Sequence, residues 1–126
     1  MDGSGYSLIQ TFNTGVGNAT PTVVYAVNPV NLSTSYCKFQ IAVNSLTSVG
    51  NGGVFEGSFK VYMAGAGATP TFSSITMLSQ VIDAPLVGIT VTVTAGVGVY
   101  NLVFTGLAAN NINVNGTVSI QATVWL

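Results

Sequence analysis

Runs of alternating apolar and polar residues fill most of this chain, and three of them stand nearly end to end between Val87 and Leu126. Ile89, Val91 and Val93 alternate with Thr90, Thr92 and Thr94; Tyr100, Leu102 and Phe104 alternate with Asn101, Val103 and Thr105; Val118, Ile120, Ala122 and Val124 alternate with Thr117, Ser119, Gln121 and Thr123. Successive side chains of a strand point to opposite faces, so each run predicts a strand with one apolar face and one face of hydroxyls and amides. Joints rich in glycine and asparagine separate the runs, and together the three read as one face of a β-sandwich. Residues Ala108 to Asn115 could add strand through Ile112 and Val114.

The same period recurs upstream. Tyr6 to Asn13 reads as a first strand with Tyr6, Leu8, Gln10 and Phe12 on one side, and Thr22 to Val27 as a β-branched second strand closed by Asn28 and Pro29. After a polar loop at Asn31 to Ser35, Tyr36 to Asn44 places Cys37, Phe39, Ile41 and Val43 inward. Val54 to Met63 does the same with Phe55, Phe59, Val61 and Met63, and the S-V-G-N-G-G joint between the two closes a hairpin through glycine. Phe72 to Val81 is a weaker strand interrupted by serines, and Asp83-Ala84-Pro85 turns the chain, with the Asp83 side chain expected to bond the amides of its own turn. No helix of ordinary length is predicted. Residues 1–5 read as a flexible leader and 6–126 as a single domain: an all-β, two-sheet antiparallel β-sandwich of Greek-key or jelly-roll type with about eight strands.

Charge changes the picture more than length does. Among 126 residues the charged ones are Lys38, Lys60, Asp2, Glu56 and Asp83, so 4% of the chain is charged against about a quarter in ordinary globular proteins. Two lysines cannot neutralise a run of phosphates, which excludes nucleic-acid binding by charge. A surface so poor in charge lacks the usual safeguard against self-association, and the reading adopted is that other subunits cover much of it. Lys38, Glu56 and Lys60 fall on the outer face of one hairpin, which is where solvent is expected. No run reaches the roughly 18 apolar residues of a membrane helix, so no membrane insertion is expected, and the start shows no export signal.

Candidate chemistry is sparse. With no histidine and with Glu56 and Asp83 in separate elements, no acid/base pair or activated nucleophile is expected, so the protein is not expected to be an enzyme. No catalytic or metal-binding residues and no cofactor are expected. Cys37 stands alone on an apolar face and reads as a small hydrophobe, not a reactive thiolate. Trp125 alternates with Val124 and so falls off the inferred inner face; with Thr90, Thr92, Thr94 and Thr123 it is a candidate subunit or capsid contact. Asn51, Asn110 and Asn111 are the loop residues with the chemistry to face a receptor, and Tyr6, Tyr36 and Tyr62 are candidates for a sugar-stacking platform.

The segments K-F-Q-I-A-V, F-E-G-S-F-K-V-Y, S-S-I-T-M-L-S-Q-V-I-D-A, I-T-V-T-V-T-A-G, Y-N-L-V-F-T-G-L-A and G-T-V-S-I-Q-A-T-V follow one another between Tyr36 and Val124. In that order they resemble a small β-sandwich module of virion surface proteins in tailed phages and some large DNA viruses. The chain departs from that pattern in lacking a tryptophan at Ile112 to Asn115 and in its low charge. The resemblance implies capsid decoration or the head of a fibre, commonly as a trimer. The expectation is therefore a viral structural protein, made in the host cytoplasm and located in the virion, that decorates or cements the capsid. Its partners would be further copies of itself, as a homotrimer, and other virion proteins such as the major capsid protein. With Met1 as the natural start no heptad or collagen-like shaft precedes the sandwich, which favours a capsid-bound protein. The alternative is a tail-fibre or adhesin head that binds a host glycan.

Overall fold

The computed structural model describes residues 3–17, 19–108 and 110–125, with the side chains of 3, 4 and 125 outside that description. The strands are β1 (Gly3–Val16), β2 (Pro21–Val27), β3 (Ser33–Ser45), β4 (Gly52–Met63), β5 (Thr71–Phe72), β6 (Thr76–Ile82), β7 (Thr90–Gly96), β8 (Val99–Thr105) and β9 (Ile112–Trp125). A single 3-10 turn, Ala84–Leu86, is the helical element among the described residues. A six-stranded sheet in the order β1-β9-β3-β4-β5, with β6 also paired to β4, packs against a three-stranded sheet in the order β2-β8-β7. All pairings are antiparallel. The fold is the expected two-sheet antiparallel sandwich.

The inward faces form the core. Cys37, Phe39, Ile41 and Val43 from β3 and Phe55, Phe59, Val61 and Met63 from β4 are buried, as are Val118, Ile120, Ala122 and Val124 from β9. Ring pairs join the two sheets: Phe55 meets Phe104 edge-on at 5.5 Å, Phe59 meets Tyr100 edge-on at 6.0 Å, and Phe12 stacks on Tyr25 at 6.1 Å. Such pairs add about 0.5–1.5 kcal/mol each beyond the area they bury. Tyr25 reaches the inner face because a bulge between Val23 and Tyr25 shifts the register of β2 against β8.

Several boundaries differ from the sequence reading. The three C-terminal runs do not share one face: β7 and β8 form a hairpin in the small sheet, while β9 crosses to the large sheet and lies between β1 and β3. β1 begins at Gly3, inside the stretch read as a leader, because its ladder with β9 continues to the Gly3–Trp125 pair. β3 begins at Ser33, where a loop was expected. Ser33 and Ser35 are buried at inward positions, and the Ser33 hydroxyl donates to the Val30 carbonyl at 2.5 Å, which removes the cost of burying it. The weak strand is two pieces: Ser73 interrupts it, its N–H donating to the Lys60 carbonyl and its hydroxyl accepting the Lys60 N–H, both at 2.9 Å.

Candidate functional site

At one end of the sandwich the β3–β4 loop, the 3-10 turn and the turn before β9 come together, and the three candidate asparagines meet there. The buried Ser45 is the junction. Its hydroxyl donates to Asn110 Oδ1 at 2.7 Å and accepts the Ser48 N–H at 2.8 Å. Asn110 Nδ2 in turn donates to the Pro85 carbonyl at 3.4 Å, so one side chain ties β3, the 3-10 turn and the last turn together. Asn51 Nδ2 donates to Ser48 Oγ at 2.9 Å, and the Ser45 N–H donates to the Asn51 carbonyl at 3.0 Å. The Asn111 N–H donates to Thr47 Oγ1 at 3.0 Å while its carbonyl accepts the Leu46 N–H at 2.8 Å. The loops are thus brought to one place, with amides that brace the loops themselves. Ser45 was missed; its inward parity with Cys37 and Val43 was the available signal.

Asp83 acts differently from the expectation. Its carboxylate accepts the Gly52 N–H at 2.9 Å and its own N–H donates to the Gly52 carbonyl at 3.0 Å, so it fastens the end of β6 to β4 and makes no side-chain bond to its own turn.

The outer face of the large sheet is broad and hydroxyl-rich. Lys38 Nζ lies 3.3 Å from Glu56 Oε1, both about one-third exposed, and Gln40 Nε2 donates to Glu56 Oε2 at 3.1 Å. The Gln40 bond first, then Lys38, holds the Glu56 carboxyl below its ordinary range. Beyond this pair, Ser7, Thr34, Tyr36, Gln121 and Thr123 line a shallow groove of about 650 Å³. Tyr36 and Tyr62 are exposed on this face, on neighbouring strands. Tyr6 also lines this groove but is partly buried and packs against the core, because its position in β1 has the inward parity of Phe12.

The candidate contact residues separate. Thr90, Thr92 and Thr94 are exposed on β7, at the edge of the small sheet, whereas Thr123 is exposed on β9 in the middle of the large sheet, beside Gly5 and Thr34. They lie on opposite outer faces of the sandwich, so one flat partner cannot touch both. The Trp125 side chain lies outside the described residues.

Cys37 and Tyr100 meet in the core across the two sheets, with Sγ and Oη 3.2 Å apart. Burial pushes the Cys37 thiol up to about 11, only partly offset by the Tyr100 bond, and burial likewise raises the Tyr100 hydroxyl. At neutral pH the thiol is protonated and inert. Among the described residues, no three His, Cys, Asp or Glu side chains group as metal ligands.

This geometry defines an all-β sandwich whose polar faces carry few charges. No family model matches the chain, and no curated protein matches it in sequence. Among solved structures, the tailspike protein of Acinetobacter baumannii phage AM24 shares its fold with a TM-score of 0.55 and 14% identity, over 92% of this chain and 26% of the tailspike chain. This chain therefore spans about a quarter of the tailspike's length. At that identity the likeness is one of fold.

Proposed function

We propose that the protein is a phage virion surface module that works mechanically, by association with other copies of itself and with other virion proteins, and without catalytic turnover. The observation that carries this reading is the surface. Aliphatic side chains such as Ile9, Val81, Val87 and Val97 stand exposed by 65–72%, yet the whole chain has five charged residues to keep copies apart. Contacts made by such faces depend little on salt. Decoration or cementing of a capsid is the finer reading, with the threonine face of β7 set against a shell protein such as the major capsid protein.

The groove beside Tyr36 and Tyr62 favours a second reading, a tail-fibre or tailspike head that holds a host glycan, since aromatic faces and hydroxyls together suit a sugar. The fold likeness to a tailspike supports it.

Gold-coupled antibody against the chain, applied to intact particles of the virus that encodes it, tests both. Label over the shell is the expected result, and label confined to the tail tip overturns decoration in favour of the fibre head. Absence of the chain from purified particles, by mass spectrometry, overturns the virion reading.

A further inference from the structure

Edge strands are the points at which one sheet can be continued by another chain, and proteins ordinarily protect them with proline, charge, bulges or brevity. Two of the four edges here are protected in this way: β2 opens on Pro21 and carries a bulge between Val23 and Tyr25, and the β5–β6 edge is broken and shifts register between Glu56 and Gly57. The β7 edge has seven residues, half the length of β1, and its outer side presents the exposed Thr90, Thr92 and Thr94. β1 has none of these devices. It is 14 residues long, pairs with β9 without a register break, and contains no proline and no charged residue. The ionic pair Lys38–Glu56 lies on β3 and β4, beyond β9 in the sheet order.

The side chains at the middle of this edge are aliphatic on both faces. Leu8 is 38% exposed on the inner side and Ile9 is 72% exposed on the outer side. Among the described residues of its own chain, β1 has a strand neighbour on one side only, β9. A strand laid along the free side would cover both aliphatics at once.

We propose that the β1 edge is a self-association seam, at which a second copy of this chain pairs antiparallel through its own β1 and continues the large sheet across a two-fold axis. The sequence of the strand is complementary to itself in one register. Antiparallel pairs that preserve the sheet faces about a two-fold axis join residues of equal parity, and Ile9 sits next to the midpoint of Gly3–Val16. Placing Ile9 opposite Ile9 sets Ser7 against Thr11 on the outer face and Leu8 against Gln10 and Tyr6 against Phe12 on the inner face. Ile9 meets Ile9, hydroxyl meets hydroxyl and ring meets ring, pairings that stabilise neighbouring strands, while Leu8 lies against the methylenes of Gln10.

A strand of this length covers a strip about 45 Å long and about 10–12 Å deep, roughly 500 Å² per copy and 1,000 Å² in total, which reaches the lower limit of a specific interface. The pair closes on itself, since each copy uses its one long, aliphatic edge. It is two-fold, unlike the trimer implied by the family resemblance, and it does not depend on the virion reading.

The test is the solution mass of the intact chain by light scattering from about 1 to 200 µM, at low and high salt. The native chain is expected to reach a dimer that ignores salt. Ile9→Lys, which sets two like charges opposite each other at an exposed position, is expected to weaken the dimer roughly a hundredfold or more. Val49→Lys, at a residue 87% exposed in the β3–β4 loop, is expected to leave it unchanged. Ile9→Cys supplies a second readout, because directly opposed residues of an antiparallel pair have Cα separations within the range of a disulfide. Under mild oxidation it is expected to give covalent dimer far faster than Val49→Cys, and Cys37 is buried and does not compete. A monomer throughout, a trimer whose mass Ile9→Lys does not change, or equal cross-linking of the two cysteine variants overturns the proposal.

Discussion

Gly116 occupies an inward position of β9, in step with Val114 and Val118, where an alanine would ordinarily add a buried methyl worth about 0.8 kcal/mol. The geometry predicts the opposite sign for Gly116→Ala. A Cβ there would lie 2.5 Å from the Gln40 carbonyl oxygen, 2.8 Å from Ile41 Cγ1 and 3.1 Å from Ile41 Cα. The first and last of these belong to backbone, so no rotamer change relieves them. The strand must move, and Gly116 is paired on both sides, with Phe12 of β1 and Ile41 of β3. Overpacking of a tight core costs about 1–3 kcal/mol, and a loosened ladder bond about 1 kcal/mol more. The sum outweighs the methyl's gain, leaving a loss of about 1–3 kcal/mol. Gly15→Ala is the control: the nearest atom to its Cβ is Asn113 Oδ1 at 3.8 Å, so replacing a flexible residue in a strand should gain about 0.5 kcal/mol. In urea unfolding followed by far-ultraviolet circular dichroism, Gly116→Ala should lower the midpoint by roughly 1–2 M. A midpoint equal to or above that of Gly15→Ala would refute the close approach of β3 and β9 at this point.

Two further outcomes follow from the buried polar groups. The folded Cys37 thiol is raised to about 11 from an ordinary 9.0, so its contribution is complete below pH 9 and is lost as the pH rises from 9 to 11, amounting to about 2–3 kcal/mol. Thermal midpoints of the native chain and Cys37→Ala should therefore converge over that range, and parallel curves would contradict the buried thiol. Ser45→Ala removes the donor to Asn110 Oδ1 and the acceptor for the Ser48 N–H, and should cost about 1–3 kcal/mol in chemical unfolding. Faster amide exchange at Ser48 should accompany it, and protection unchanged at that amide would count against the junction.

Alternation made the inward set of β3, β4 and β9 readable in advance, because a strand with one buried face has no freedom to slip by a single residue. It could not show which sheet a strand joins, since a run such as Ile89–Val93 looks alike in either layer. That is why the last three strands read as one face although β9 lies in the other sheet, and why Thr123 was grouped with Thr90, Thr92 and Thr94. Ser33 and Ser35 were read as loop by composition, although they continue the inward parity of Cys37. That Asn51, Asn110 and Asn111 lie in loops was legible from composition, and a sandwich collects its loops at its ends. The bonds of Asn110 and Asn111 were not, because their partners Ser45, Pro85, Leu46 and Thr47 lie far off in the chain. Ile9 stands in the sequence as an apolar residue on the otherwise polar side of its strand, and only the sheet order shows that it falls on a free edge.

The position of β9 between β1 and β3 has a consequence for how the chain folds as it is made. The β3–β4 hairpin is local and can close early, but the strand that completes the other side of β3 is synthesised last. Roughly sixty residues separate the end of β4 from the end of β9, which at about 5–20 residues per second is on the order of 3–12 s. During that interval β3 and β1 both wait with open edges, and a nascent neighbour on the same message offers the same strands. Crowded translation therefore puts this protein at risk of pairing with the wrong copy, and slower initiation or a chaperone that covers β3 should raise the yield of correctly folded chain.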